Sequence, residues 1–199
     1  MNREYDVIIL GGGVAGLYTA KALSKGGKSV ALIERDSLGG TALRWGALPV
    51  KRALDYFKEK RGEVERLRHR WEDDLDELNG RLERSISDLD VDIYYGEGEF
   101  IDSHTIKVGE KILMGEYIII ATGSDPTGID GISIDGKMII THKEAISLKD
   151  IPKKIIILGG NVEGIEFASL YAELGVKVVI VEKEDKLLLG YDEDLVEPV

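Results

Sequence analysis

Cysteine is absent from this 199-residue chain, and so is glutamine. Without cysteine there can be no structural disulfide, no thiolate zinc site, no cysteine-ligated iron–sulfur cluster and no thiol nucleophile or relay. Long apolar runs are also missing, so no transmembrane helix is expected. Residues 1–4 are polar and strand-like sequence starts directly after them, so no signal peptide is expected. Positive charge is in deficit: 26 Lys and Arg stand against 37 Asp and Glu, a net charge of −11. That excludes a general basic surface for nucleic acid or anionic membrane. It leaves room for an anionic cofactor, because backbone amides and helix N-termini hold phosphates locally. No metal-ligand pattern is read; His69 has no ligand-like neighbours in sequence. A cytoplasmic location is the simplest reading. The missing cysteine and glutamine, beside plentiful Lys, Glu and Ile, fit a thermophile's protein.

The apolar run Tyr5–Leu10 has the composition of a buried parallel strand. It ends in Gly11-Gly12-Gly13-Val14-Ala15-Gly16, which carries the G-x-G-x-x-G spacing on Gly11, Gly13 and Gly16. A helix pattern follows, with Ala15, Leu17, Ala20, Ala22 and Leu23 for its buried side. A second strand, Ser29–Ile33, then ends at Glu34, with Arg35 beside it. Gly11 permits a tight turn, Gly13 lets backbone approach a pyrophosphate, and Gly16 lets the helix pack close to the strand. Val14 and Ala15 form the first helical turn, whose free N–H groups and partial positive charge suit an anion. A carboxylate at Glu34 can accept from ribose hydroxyls. These residues fit NAD or FAD equally well.

Next comes Gly39-Gly40-Thr41-Ala42-Leu43-Arg44-Trp45-Gly46-Ala47-Leu48-Pro49-Val50-Lys51. It resembles the active-site segment of the pyridine nucleotide-disulfide oxidoreductases, the dihydrolipoamide dehydrogenase group. There the pattern reads G-G-T-C-x-x-x-G-C-x-P-x-K, and its two cysteines form the redox disulfide. Here both are alanine, Ala42 and Ala47, while Pro49 and Lys51 remain. The resemblance decides for FAD at the first fingerprint. It implies that Gly40 and Thr41 lie near the pyrophosphate and that Lys51 approaches the flavin N5 edge; taken alone, Lys51 reads as a solvated helix residue. The Trp45-Gly46 pair resembles soluble pyridine nucleotide transhydrogenases, which lack the complete cysteine pair and shuttle hydride through flavin.

From Lys51 to Leu89 the chain is highly charged. Leu67, Trp71, Leu75, Leu78, Leu82, Ile86 and Leu89 recur at helical spacing, and Gly62 is a candidate break. Two readings stand: a helical hairpin over residues 51–90 with a solvated outer face, or a self-association seam. Residues 91–116 turn to strand chemistry and read as a small antiparallel β-meander containing Gly98. Tyr117–Ile120 is a further buried strand, running into Ala121-Thr122-Gly123-Ser124-Asp125-Pro126. That run resembles the family's second flavin-contact segment, which marks Ala121, Thr122 and Gly123; the alternative is a simple turn before a linker.

A domain boundary is expected near residue 150. Lys154–Leu158 is again strand-like and ends in Gly159-Gly160-Asn161-Val162-Glu163-Gly164. A helix pattern, the strand Val178–Val181 and the acid Glu182 follow. The fold class is therefore α/β. Residues 1–150 are expected to form a Rossmann-like FAD-binding domain with an inserted helical hairpin and β-meander, and residues 151–199 an incomplete second Rossmann-like unit for a nicotinamide nucleotide. Gly159, Gly160, Gly164 and Glu182 are its candidate cofactor residues. Asn161 takes the place of the second glycine, so a side chain stands where backbone should approach the pyrophosphate, although asparagine tolerates an unusual backbone angle and the turn is expected to survive. Glu163 adds a carboxylate that would repel a diphosphate. NAD(H) binding is thus doubtful here, and Glu182 would favour NAD over NADP. Glu166 matches a family glutamate that pairs with the flavin-side lysine, here Lys51; otherwise it is a first-turn acid of the helix.

The resemblance covers nearly the whole chain but under half of a typical family member, leaving a fragment, a natural short form and half of a split enzyme as readings. The expected function is an FAD-dependent oxidoreductase without a redox disulfide. It would pass electrons between NAD(P)H and a non-disulfide acceptor, with Lys51 and Glu166 as candidate catalytic residues. Its partners would be small-molecule donor and acceptor, with a homodimer or a companion subunit open. The alternative is a non-catalytic subunit that binds FAD or acts as a scaffold. Disulfide reduction is excluded, because there is no thiol to attack or relay.

Overall fold

The computed structural model describes residues 3–59, 77, 78, 80–87, 89–148 and 150–197. The chain divides into two compact units, Met1–Arg44 with Glu72–Gly128, and Trp45–Trp71 with Ile129–Val199.

The first unit is built on a six-stranded sheet of order β3-β2-β1-β6-β5-β4. Its strands are β1 (Arg3–Leu10), β2 (Val30–Glu34), β3 (Val91–Tyr95), β4 (Gly98–Asp102), β5 (Thr105–Val108) and β6 (Lys111–Ile120). β3, β2, β1 and β6 run parallel. β4, β5 and β6 pair antiparallel. Helices α1 (Val14–Lys25) and α2 (Gly40–Arg44) belong to this unit, as does α4, the helical residues 80–87.

β1 is apolar throughout its second half because both its faces are covered. Val7 and Ile9 join Leu17 and Ala20 of α1, Val30, Leu32, Leu38 and Ile86 in one cluster. Ile8 and Leu10 point the other way, into a cluster with Ala31, Ile33, Tyr94, Ile106, Val108 and Leu113. The strand period of two thus sorts one run of aliphatics into two cores.

Two expectations about this region change. Val91–Tyr95 is not part of a meander: it lies parallel beside β2, with Leu32 opposite Ile93 and Ile33 opposite Tyr94. Residues 111–116 and 117–120 are one ten-residue strand, because β6 pairs with β1 along its length while its first half also pairs with β5. The meander is β4-β5-β6. Of the charged helical stretch, Gly62, Leu67, His69, Trp71 and Leu75 lie outside the described residues. Within α4, Ile86 is buried and Leu82 packs on the same cluster, so these two positions serve the unit's own core.

The second unit contains α3 (Ala47–Glu59), α5 (His142–Ala145), β7 (Lys154–Leu158), α6 (Val162–Glu173), β8 (Lys177–Val181) and α7 (Glu193–Val196). β7, α6 and β8 form one βαβ turn with parallel strands. Val50 and Ala53 of α3 are buried with Phe167, Leu170, Tyr171 and Val176. That packing groups α3 with α6, although the sequence suggests it belongs with residues before 150. Burial pushes the Tyr171 phenol up to about 12, and its hydroxyl donates to the Ala145 carbonyl.

Candidate functional site

Three loops meet at the carboxyl ends of β1, β2 and β6, where the strand order changes direction between β1 and β6. Open α/β sheets bind ligands outside such ends. Gly11–Gly13 follows β1, Glu34 ends β2 with Arg35 just after it, and Ala121–Gly123 follows β6.

Glycine is required at Gly11 for two reasons. Its φ is +107°, and an added β-carbon would fall 2.2 Å from the Ala121 carbonyl oxygen. The loops after β1 and β6 are therefore in van der Waals contact, and Ala121 N–H donates to Leu10 O at 2.8 Å. At Gly16 an added β-carbon would sit 1.8 Å from Gly11 O, so the helix can only approach the strand without a side chain there.

Gly13 differs. It caps α1 in extended backbone, φ −72° and ψ −173°, which any residue can adopt. An added β-carbon would meet only the Gly40 Cα, at 3.8 Å. What glycine keeps clear at Gly13 is the space in front of the helix. No side chain caps α1, no acid lies in its first turn, and Val14 and Ala15 are exposed. This is an uncapped helix N-terminus with clear space, the arrangement that receives a phosphate. Gly40, at φ +60°, lies over it; an added β-carbon there would reach Gly13 Cα at 2.8 Å. Thr41 follows in α2 and is exposed.

Glu34 is buried at 9 % exposure, and both its oxygens serve backbone. Oε2 accepts from Gly12 N–H at 2.6 Å and Oε1 from Asp36 N–H at 2.9 Å. Each oxygen keeps a second acceptor site for a ribose hydroxyl. Arg35 pairs with Asp125 at 2.9 Å, tying the loop after β2 to the loop after β6. Gly98 is placed otherwise: an added β-carbon would meet Leu10 Cδ2 at 2.7 Å and Ile33 Cγ2 at 3.3 Å, so its smallness serves packing on the sheet.

Sequence reasoning missed the contribution of Leu38 and Gly39. Leu38 is buried over Gly12, and Gly39 N–H donates to Gly12 O at 2.9 Å. The G-G-T motif names the glycines, but nothing in the local pattern reports a hydrogen bond back to the fingerprint.

In the second unit, Lys51 Nζ of α3 donates to Glu166 Oε1 of α6 at 2.8 Å. Lys51 is largely exposed, Glu166 less so. Nearby in the same unit, Lys143 Nζ sits 5.3 Å from the centre of the Trp45 ring.

The second fingerprint repeats the first. Gly159 has φ +110°, and a β-carbon at Gly164 would fall 2.1 Å from Gly159 O. Glu182 Oε2 accepts from Gly160 N–H at 2.6 Å and Oε1 from Glu184 N–H at 3.0 Å. These amides, Glu184 first, hold the Glu182 carboxyl below the usual carboxylate range. The backbone at Asn161 is ordinary, φ −77° and ψ −178°, so the expected tolerance of unusual angles is not used. Its side chain stands at the position that Gly13 leaves clear, where Oδ1 accepts from Gly164 N–H at 2.9 Å and caps α6.

The family model for pyridine nucleotide-disulphide oxidoreductases matches residues 5–199. The chain belongs to this family. Its members are FAD-dependent oxidoreductases that use NAD(P)H. Among its relatives, a dihydrolipoyl dehydrogenase of Bacillus subtilis is 34% identical over 94% of this chain and 46% of its own length. A soluble pyridine nucleotide transhydrogenase of Mycobacterium bovis is 34% identical over 98% of this chain and 47% of its own length. Among solved structures, the Cu(II) complex of the HOCl-induced flavoprotein disulfide reductase RclA from Escherichia coli superposes with a TM-score of 0.88. Identity is 30%, over 99% of this chain and 46% of that one. The chain spans a little under half the length of these relatives. Unlike a disulfide reductase, it carries alanine at both cysteine positions of the family motif, Ala42 and Ala47. Among the described residues no helix is long and apolar enough to cross a membrane.

Proposed function

We propose that the chain binds FAD in the cradle of its first unit and serves an oxidoreductase that moves electrons between a nicotinamide nucleotide and an acceptor other than a disulfide. The observation that carries the reading is the uncapped N-terminus of α1, with clear space at Gly13 and the Glu34 carboxylate fixed beside it. These residues suit the group. Amides of the first turn would hold the pyrophosphate, Glu34 would accept from ribose, and Ala121–Gly123 would line the cofactor's path. Bound FAD supplies an isoalloxazine that takes up hydride and gives up electrons.

The chain's own residues would position and tune that group. Arg35 and Asp125 hold two of the cradle loops together. Lys51 is proposed to favour the added negative charge of reduction, with Glu166 fixing its ammonium; this role rests on the G-G-T to P-x-K frame and on the observed ion pair. Without a thiol at Ala42 or Ala47, electrons would leave toward a quinone, dioxygen, a second nucleotide or a partner protein. Soluble placement in the cytoplasm and a homodimer or companion subunit belong to the same proposal.

A second reading is a non-catalytic, FAD-binding subunit, favoured by the two alanines and by the side-chain cap at Asn161. Turnover separates the two. Photoreduced flavin in the purified chain, mixed with a soluble quinone, should reoxidise over many cycles. A chain that holds FAD but shows no catalytic reoxidation with quinone, dioxygen or NAD(P)H belongs to the second reading. A folded chain that takes up no FAD removes both.

A further inference from the structure

The two fingerprints agree wherever a residue shapes the loop and differ where it would face a ligand. Gly11, Gly12, Gly16 and Glu34 have counterparts in Gly159, Gly160, Gly164 and Glu182. Gly11 and Gly159 share a positive φ, Gly16 and Gly164 approach the Gly11 and Gly159 carbonyls alike, and both carboxylates accept from two amides, although Gly159 has no neighbour like Ala121 at Gly11. The open Gly13 is matched by Asn161, and the neutral Ala15 by Glu163. We propose that Asn161 and Glu163 are specificity-determining residues that exclude dinucleotide diphosphates from the second unit, so that the nicotinamide nucleotide of the proposed reaction would be held by a companion subunit and not by this chain.

Each acts on a different part of the phosphate site. A diphosphate at a helix N-terminus needs first-turn amides and unfilled space in front of them. In α1 no side chain takes these groups. In α6 the Asn161 Oδ1 already accepts from Gly164 N–H, and its side chain fills the position that Gly13 leaves clear. Glu163 places a carboxylate in the same turn. It satisfies the helix dipole that a phosphate would otherwise satisfy, and it repels a second anion. His142 keeps it there: its Nδ1 lies 3.2 Å from Glu163 Oε1.

The covering segment has changed as well. Leu188 N–H donates to Gly160 O at 2.8 Å, as Gly39 N–H does to Gly12 O. Leu187 packs over Gly160 as Leu38 packs over Gly12. Where the first unit continues with Gly39 and Gly40, the second has Leu188 and Leu189. Leu188 adopts φ +52°, alone among the described non-glycine residues in having a positive φ. Leu188 thus makes the hydrogen bond of Gly39 but at a different positive φ, +52° against +110°, which a leucine adopts at a cost.

This inference concerns the second unit and does not depend on flavin uptake by the first. Calorimetric titration of NADH into the FAD-saturated chain tests it, with a parallel titration on G13D, which closes the first cradle and identifies any NADH held there. The expected result is no saturable NADH binding to the second unit in the unaltered chain. Binding should become at least tenfold tighter in N161G/E163A, and severalfold tighter in E163Q. E163Q keeps the Asn161 cap, so it decides the matter if the double variant fails to fold. Micromolar NADH binding that persists in G13D, or E163Q binding no tighter than the unaltered chain, overturns the proposal. Failure of FAD to bind would show separately, as an absent flavin spectrum, and would leave the comparison among these variants readable.

Discussion

Gly11 lies against Ala121 so closely that a β-carbon at Gly11 would fall 2.2 Å from the Ala121 carbonyl oxygen. The contact joins the loops after β1 and β6, two of the three that form the cradle. It makes G11A a stringent variant. Alanine at φ +107° is strained, and the contact forces one loop to move. G11A should lose more than about 2 kcal/mol of stability and most of its FAD uptake. Urea unfolding and flavin absorbance of the purified variant check both.

Glu34 gives a second prediction. E34A leaves the Gly12 and Asp36 amides without their acceptor, which costs about 1–3 kcal/mol for a buried donor. It also removes the proposed ribose contact. FAD affinity should fall roughly tenfold or more, by the same range for a bond to a charged group. E34Q retains one acceptor oxygen and should fall between E34A and the unaltered chain. Fluorescence titration with FAD orders the three.

These two residues mark what was legible in the sequence. The G-x-G-x-x-G spacing and the acid after the second strand identify the βαβ unit and its ligand-facing end, because those positions obey local steric rules. The double bonding of Glu34 to Gly12 and Asp36 was not legible, since it depends on how two loops meet. The placement of β3 was missed for a related reason. Val91–Tyr95 has the same composition in a meander as in a parallel edge strand, and pairing with β2 rather than β4 is a tertiary choice. The packing of α3 is not legible either, because Val50 and Ala53 reveal their partners, Phe167 and Leu170, only once α6 is folded. At Asn161 the obstructing side chain is legible, but its service as an ordinary N-cap to Gly164 N–H is not, because that depends on the helix being formed.

The Lys51–Glu166 pair makes a third prediction, in two parts. Lys51 is well exposed, so its coupling to Glu166 should be modest, about 0.5–1 kcal/mol in a K51M/E166Q double-mutant cycle of unfolding free energies. In flavin-loaded protein, K51M should lower the midpoint potential while leaving FAD content unchanged. Each ~1.4 kcal/mol of lost stabilisation of the reduced form corresponds to about 30 mV for a two-electron couple. An unchanged potential would confine Lys51 to a structural role.

A fourth prediction concerns acid. Lys28 Nζ and the Ser29 amide and hydroxyl hold the Asp6 carboxyl down at about 2. A depressed carboxylate stabilises the fold fully above its ordinary range, and that contribution is lost as pH falls through the folded value. The unaltered chain should therefore lose stability more steeply than D6N between about pH 4 and pH 2. Urea midpoints at several pH values compare the two. Parallel curves across that window would show that the Asp6 clamp contributes nothing.

The most direct test of the account is the flavin content of the purified, folded chain after incubation with FAD and removal of the excess. Gly11, Gly13, Gly16, Glu34, Gly40 and Ala121–Gly123 predict a bound flavin absorbing near about 450 nm at close to one per chain, abolished by G13D. A folded chain with no retained flavin, or flavin retained equally by G13D, would contradict it.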